Sequence, residues 1–359
     1  MNKFSHHLQT DSEEHPFAKY IRILGRGKKG VRALTQDEAY IAMKMIMADA
    51  VLPEQLGAFL MLMRIKEETP EELAGFVVAA REFCIISVER SDSPFDKLRT
   101  NGLENQNHAH LADLDWSTYA GKRRHLPWFI LSALLLADNG IKVFMHGAEG
   151  PSSSRLYTET ALSHLGINAA TSPDQVAEQL QNQQFSYFSL AQFCPLLQKI
   201  IDLRPILGLR SPVHTLVRML NPANAPYSMQ GIFHPSYRAV HQHAAALLGQ
   251  PHMAVLKGEG GETERNPDMD CLVQSVHHGE LSEEIWPALF PRRHVRAESL
   301  NPELLRAVWQ GDISDEFGEA AVIGTVAVAL TLLGKASNQQ RAQILAQEYW
   351  NERDRQRFT

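Results

Sequence analysis

Between Leu34 and Glu82 the apolar residues recur at helical spacing in three successive runs: Ala39, Met43, Ile46 and Met47, then Leu56, Phe59, Leu60 and Met63, then Leu73, Phe76, Val77 and Ala80. Each run has its own start signal. Thr35 is followed three residues on by Glu38, and Thr69 by Glu72 with Pro70 at the first helical position, so two capping boxes open the first and third helices. Pro53 opens the second. Short helices that each bury one stripe pack together, and methionine in the stripes is core filling rather than a ligand set.

The pattern changes on either side of this block. Residues 1–16 are polar and read as a tail, and Phe17 to Leu24 reads as the first ordered segment. Ile85 to Val88 resembles a strand. Residues 89–110 are polar and irregular, with turn signals at Ser91-Asp92-Ser93-Pro94 and Asn101-Gly102. A loop of that length is uncommon inside a compact domain, and it reads as an insertion at a hinge or as an active-site lid. From Leu111 onward, apolar helical segments (126–138, 158–164, 195–201, 211–220, 236–248) alternate with short strands at 141–145, 187–190 and 254–257, and more helix follows at 320–333 and 338–357. Such alternation predicts an α/β fold with a mostly parallel sheet flanked by helices. The expected division is a polar tail (1–16), a small helical domain (17–84), a hinge with its insertion (85–110) and a larger α/β domain (111–359), some of whose helix can return to the small domain.

A chain of 359 residues exceeds a usual single core, which agrees with two domains. The formal net charge of -6 excludes a uniformly basic nucleic-acid coat, so any nucleic-acid site must be a local patch. Cys84, Cys194 and Cys271 lie far apart without CxxC spacing, which argues against a disulfide framework and a zinc site and for a reducing cytoplasm. The longest apolar runs fall short of the roughly 20 residues that cross a bilayer, so no membrane partner is expected. The N-terminus is too polar for a secretory signal.

Positive charge is concentrated in three places: Arg26, Lys28, Lys29 and Arg32 in a glycine-rich loop; Lys122, Arg123 and Arg124; and Arg204, Arg210 and Arg218. Joined in space, these would form a phosphate-binding groove. Trp116, Tyr119 and Trp128 lie among them and are candidates for stacking on bases.

The run from Leu34 to Glu82 resembles the N-terminal helical domain of the anthranilate phosphoribosyltransferase family, on Leu34-Thr35 with Glu38-Ala39, Gln55 through Arg64 to Lys66, Glu68-Thr69-Pro70-Glu71-Glu72 and Gly75. The resemblance continues at His146-Gly147, Ala191 with Pro195, Gly208-Leu209-Arg210 to Asn221-Pro222, and Gly258-Glu259-Gly260-Gly261, and covers roughly residues 20 to 335. It implies the nucleoside phosphorylase/phosphoribosyltransferase-like fold. It also implies where chemistry should sit. The family's glycine-rich pyrophosphate loop falls on Ser117-Thr118-Tyr119-Ala120-Gly121, where only Thr118 agrees, and its Asn-x-Ser-Thr element falls on Pro127-Trp128-Phe129-Ile130. Its Lys-His-Gly-Asn-Arg becomes Met145-His146-Gly147-Ala148-Glu149, which loses two cations and gains an acid beside a polyanion. The metal-binding Asp-Glu pair becomes Thr263-Glu264, with Glu262 as a stand-in. Arg210 keeps the position that faces the acceptor's carboxylate, where a bidentate fork suits arginine.

The resemblance thus implies a vestigial substrate cleft at Thr118, His146, Gly147 and Arg210, and magnesium at Glu264 and Glu262 only if a transferase activity persists. Similarity is greater to a TrpD-like subfamily that keeps the fold, carries a Gly-Arg-Gly-Lys loop, lacks the phosphoribosyl pyrophosphate motifs and binds DNA as a homodimer through the helical domain. Three functions follow as alternatives. The first is a dimeric protein binding single- or double-stranded nucleic acid, the second a pentosyl or phosphoribosyl transferase on another acceptor, and the third a ligand-sensing or scaffold protein.

Overall fold

The helical runs fold as their start signals predict. The computed structural model describes residues 14–84, 110–150, 152, 154–295 and 299–358. It begins with α1 (Ala18–Gly25), a single turn α2 (Gly27–Gly30), α3 (Gln36–Met47), α4 (Pro53–Lys66) and α5 (Pro70–Cys84). The Thr35 side chain accepts from the Glu38 N–H, and the Glu38 carboxylate accepts from the Thr35 N–H, so the first capping box is formed. In the second, Glu72 does more than cap. It is fully buried, accepts from the N–H groups of Thr69 and Leu34, and holds Lys66 Nζ at 2.6 Å. Three helices are thereby tied at one carboxylate. The basic segment expected as a loop instead winds one turn at Gly27–Gly30.

The α/β part follows: β1 (Leu114–Thr118), α6 (Phe129–Asp138), β2 (Val143–Gly147), α7 (Thr158–His164), α8 (Pro173–Asn182), β3 (Phe185–Ser189), α9 (Leu190–Phe193), α10 (Pro195–Ile201), α11 (Arg204–Leu207), α12 (Val213–Leu216), β4 (Tyr227–Ile232), α13 (Tyr237–Leu247), β5 (His252–Lys257), β6 (Cys271–His277), β7 (Glu280–Trp286), α14 (Glu303–Gln310), α15 (Glu316–Leu332) and α16 (Gln339–Glu352). The sheet runs β3-β2-β1-β4-β5-β6-β7; all pairings from β3 to β5 are parallel, and β6 and β7 are antiparallel. Chain direction along the sheet reverses between β1 and β4, and the crevice beyond the carboxyl ends of such neighbours is where ligands bind in open α/β sheets.

Several expectations need correction. Ser211 to Leu220 is not one helix but α12 followed by a 3-10 turn at Val217–Met219, because Pro212 confines the start. The helix expected from Leu126 begins at Phe129. β1, β4, β6, β7 and α8 went unread: β1 mixes buried Asp115, Ser117 and Thr118 with apolar residues, which hides a strand buried on both faces. The strand expected at Ile85 to Val88 and most of the 89–110 insertion lie outside the described residues. Cys84 at the end of α5 and Cys194 at the start of α10 form a disulfide, with Cα atoms 5.2 Å apart, contrary to the sequence reading. The reason is tertiary: 110 residues separate them along the chain, and only folding brings α5 against α10. One continuous apolar cluster joins α1, α3, α4 and α5 to residues of α10, α12 and α13, so helix of the larger part packs on the smaller. Among the described residues no helix is long and apolar enough to cross a membrane.

Candidate functional site

The segment after β1, where the resemblance puts a pyrophosphate loop, retains a row of inward-facing N–H donors, and the chain's own carboxylates occupy them. Glu262 Oε1 accepts from the N–H groups of Ala120 and Gly121, both at 2.6 Å. Glu259 Oε1 accepts from Arg123 and Arg124 at 3.0 and 2.6 Å. Glu264 takes Lys122 Nζ at 2.5 Å on one oxygen and the N–H of Phe129, at the start of α6, at 2.8 Å on the other. Backbone donors at a loop and helix start attract anions. Here three glutamates from residues 259–264 are those anions.

Glycine makes this closure possible. A Cβ on Gly258 or Gly231 would collide with the backbone of Glu262, so both are needed for the loop to lie on the end of β4. Lys122 is buried; burial lowers its ammonium, and the carboxylates of Glu264 and Glu259 more than offset this and hold it above the ordinary lysine value. Glu259, pushed up by burial, is brought below the usual range by Lys122 and by its two backbone donors.

These pairings decide the fate of the candidate magnesium ligands. Glu264 is bound to Lys122 and α6, and Glu262 to Ala120 and Gly121. Thr263, at the other family ligand position, donates to the carbonyl of Ser117. Among the described residues no group of three His, Cys, Asp or Glu is placed to hold a metal. Both oxygens of Glu264 are taken, so the expected Glu264–Glu262 pair is not free as a pair; of the two side chains only Glu262 keeps an oxygen, Oε2, without a hydrogen-bond partner among the described residues.

The vestigial cleft residues are equally engaged. Thr118 bonds Thr158, and Gly147 lies beside Thr118 in the β1–β2 register, so close to its carbonyl that a Cβ would clash. His146 is fully buried, its Nδ1 2.6 Å from the Tyr119 hydroxyl and its Nε2 3.2 Å from Asp115. It belongs to an internal network. Trp116, Trp128 and Tyr119, expected to stack on bases, are core residues at 0%, 2% and 5% exposure.

Of the predicted cations, Arg26, Lys29, Arg123 and Arg124 are exposed, and Arg32 is exposed but forked onto Glu38. Lys28 lies within the α2 turn. Lys122 and Arg218 are buried and do not contribute to a surface patch: Lys122 is neutralised, and Arg218 donates to the carbonyl of Gly261 at 2.7 Å. Arg210 differs. It is partly buried, has no hydrogen bond or ion pair among the described residues, and is pushed down to about 10 by burial and by repulsion from Arg218, Arg204 and Arg155. Four arginines therefore converge beyond the carboxyl ends of β1 and β4. A cavity of about 100 Å³ opens beside Arg210 and Arg218, lined also by Arg64 of α4, Ser211, Phe233 and Tyr237 among others. Sequence reading missed Arg64 and Phe233 as site residues, because neither belongs to a basic cluster.

Residues 18–84 match the family described as "Glycosyl transferase family, helical bundle domain", and residues 130–352 match "Glycosyl transferase family, a/b domain". Anthranilate phosphoribosyltransferase of Burkholderia multivorans is 28% identical over 299 residues, covering 82% of each chain; that of Ralstonia pickettii is 28% identical over 273 residues, covering 75% of this chain and 74% of its own. The crystal structure of the Thermus thermophilus enzyme superposes with a TM-score of 0.72 at 24% identity, over 94% of both chains. The Saccharomyces cerevisiae enzyme, solved in complex with PRPP and Mg, gives 0.70 at 15% identity over the same share of each chain. These two structures show a likeness of fold.

Proposed function

Because the chain belongs to the glycosyl transferase family whose helical bundle and α/β domains it carries, we propose that it has kept that scaffold without phosphoribosyl pyrophosphate chemistry and serves as a dimeric nucleic-acid-binding protein. The observation that carries this reading is Glu262, whose carboxylate sits on the N–H groups of Ala120 and Gly121 where the family resemblance would seat a pyrophosphate. A second anion there would meet Glu262 and Glu259 in a buried setting, where like charges repel strongly. Positioning of the leaving group is what such transferases depend on, and this loop cannot supply it.

Polyanion binding draws on other groups. Arg26, Lys29, Arg123 and Arg124 are exposed, and Arg64 and Arg210 line the cleft without a hydrogen bond or ion pair among the described residues. Local charge of this kind supports binding to a phosphate backbone in a protein of net charge -6. One observation favours the second reading, a transferase acting on another acceptor: the cavity at Arg210 persists.

Fluorescence anisotropy separates the two. Labelled single- and double-stranded DNA with hydroxyl ends, which leaves any phosphate-monoester seat unused, is titrated with the protein at two salt concentrations, with phosphoribosyl pyrophosphate plus magnesium as competitor. Binding that weakens steeply with salt and ignores the competitor is the expected result. Absence of binding, or displacement by the competitor, overturns the proposal in favour of the transferase.

A further inference from the structure

We infer that the cavity between Arg64, Arg210 and Arg218 seats a terminal phosphate monoester of a single-stranded nucleic acid, with the adjoining base stacked on Phe233. This inference rests on the nucleic-acid reading and assigns the cleft a task that the surface cations do not perform.

Three observations meet at this cavity. The first is positive charge in excess of its acids. Arg210 and Arg64 have no ion pair or hydrogen bond among the described residues, and Arg218 donates only to a backbone carbonyl. The acid felt by Arg210 and Arg218 is Glu262, whose Oε1 already takes two backbone donors, and the one near Arg64 is Glu68, which takes the Tyr237 hydroxyl. His214 and His241 on the same wall add no charge near neutrality, each pushed down to about 3 by burial and by the neighbouring arginines. The second is an unused donor. Ser211 is 4% exposed, follows Arg210, lines the cavity, and its hydroxyl has no hydrogen-bond partner among the described residues. A buried hydroxyl left unpaired is costly, and an oxyanion between Ser211 and the arginines would satisfy it.

The third is size and rim. At about 100 Å³ the cavity is well below the ~300 Å³ at which small-molecule pockets begin, which suits one tetrahedral oxyanion and not a nucleoside. At the mouth, Phe233 is 52% exposed with its ring against His234 at 4.8 Å. Phosphate inside and a base on the aromatic rim is the division these dimensions impose. An internal phosphodiester carries one charge and a sugar on each side, so it cannot descend into a small recess. A terminal monoester carries close to two charges at neutral pH, with its second pKa near ~6, and is flanked on one side only. Stacking on Phe233 further requires an unpaired base, which selects single strands.

The test uses the full-length protein and one 12-nucleotide sequence in three forms: 5′-phosphorylated, 3′-phosphorylated and with hydroxyls at both ends, each labelled at the opposite or an internal position. One phosphorylated form should bind about tenfold more tightly than the hydroxyl form. Arg210→Gln should abolish that preference, so that the phosphorylated and hydroxyl strands bind alike at whatever affinity remains, and Ser211→Ala should reduce it. Should either variant misfold by circular dichroism, competition on the wild type decides: a nucleoside 5′-monophosphate displaces the phosphorylated strand, whereas the nucleoside and anthranilate do not. Equal affinity for all three strands would overturn the phosphate seat and leave the nucleic-acid reading standing. Failure of every strand to bind would overturn both.

Discussion

Glu262 concentrates the consequences at the scale of single residues. Its carboxylate satisfies two buried N–H groups, so Glu262→Ala should cost about 1–3 kcal/mol in a urea titration. Inorganic pyrophosphate should stabilise the variant more than the wild type, because an anion that binds only the folded state stabilises it and the vacated N–H groups add a site that the wild type lacks. An equal shift in both proteins would show that loss of the Glu262 carboxylate opens no such site. His214 and His241 supply a pH dependence. Their folded values are near 3, against about 6.5 in the unfolded chain. Below pH 6.5 the unfolded chain takes up protons that the folded one refuses, so stability falls as pH drops from 6.5 toward 3, by up to about 1.4 kcal/mol per pH unit for each histidine. Thermal melts between pH 7 and 5 should show the slope, and His241→Gln should remove one histidine's share of it.

At the scale of elements, the two capping boxes look alike in sequence but differ in weight. Glu38 is partly exposed and held down to about 2 chiefly by Arg32, an ion pair open to solvent and worth little. Glu72 is buried and connects the lead-in to α3, the end of α4 and the start of α5. Glu72→Ala should therefore cost about 3–5 kcal/mol, because it leaves Lys66 and two N–H groups without their acceptor, against under about 1 kcal/mol for Glu38→Ala. Similar urea midpoints for the two variants would remove Glu72 from this role. The three helix starts were legible because caps and periodicity are local. Strand β1 was not, because its polar residues are satisfied by partners far along the chain: Asp115 receives the Ser228 hydroxyl, and Thr118 meets Thr158.

For the whole molecule, the Cys84–Cys194 link and the shared apolar cluster bind the helical bundle to the α/β part. A cross-link closing so long a stretch of chain restricts the unfolded state, so reduction should lower stability by about 2–4 kcal/mol. Thiol titration of the unreduced, denatured protein should find only Cys271 free; three reactive thiols would refute the link. Binding is also a property of this scale. Replacing Arg26, Lys29, Arg123 and Arg124 together should lower the salt dependence of DNA affinity by about one unit of log-log slope for each phosphate no longer neutralised.

Periodicity, capping pairs and turn residues act over a few neighbours, so the sequence alone determined the helical bundle and the α/β alternation after it. It also located the clusters of positive charge. Which of those charges are available was decided only by the tertiary structure. Lys122 looked like the centre of a basic patch and is the buried partner of Glu264; Glu262 and Glu264 looked like metal ligands and are internal anions. Arg64 and Phe233, outside the three clusters of positive charge, reach the cleft. The physical reason is common to all of them: a charge is defined by its counterion and its solvent, and both are brought to it by residues a hundred or more positions away.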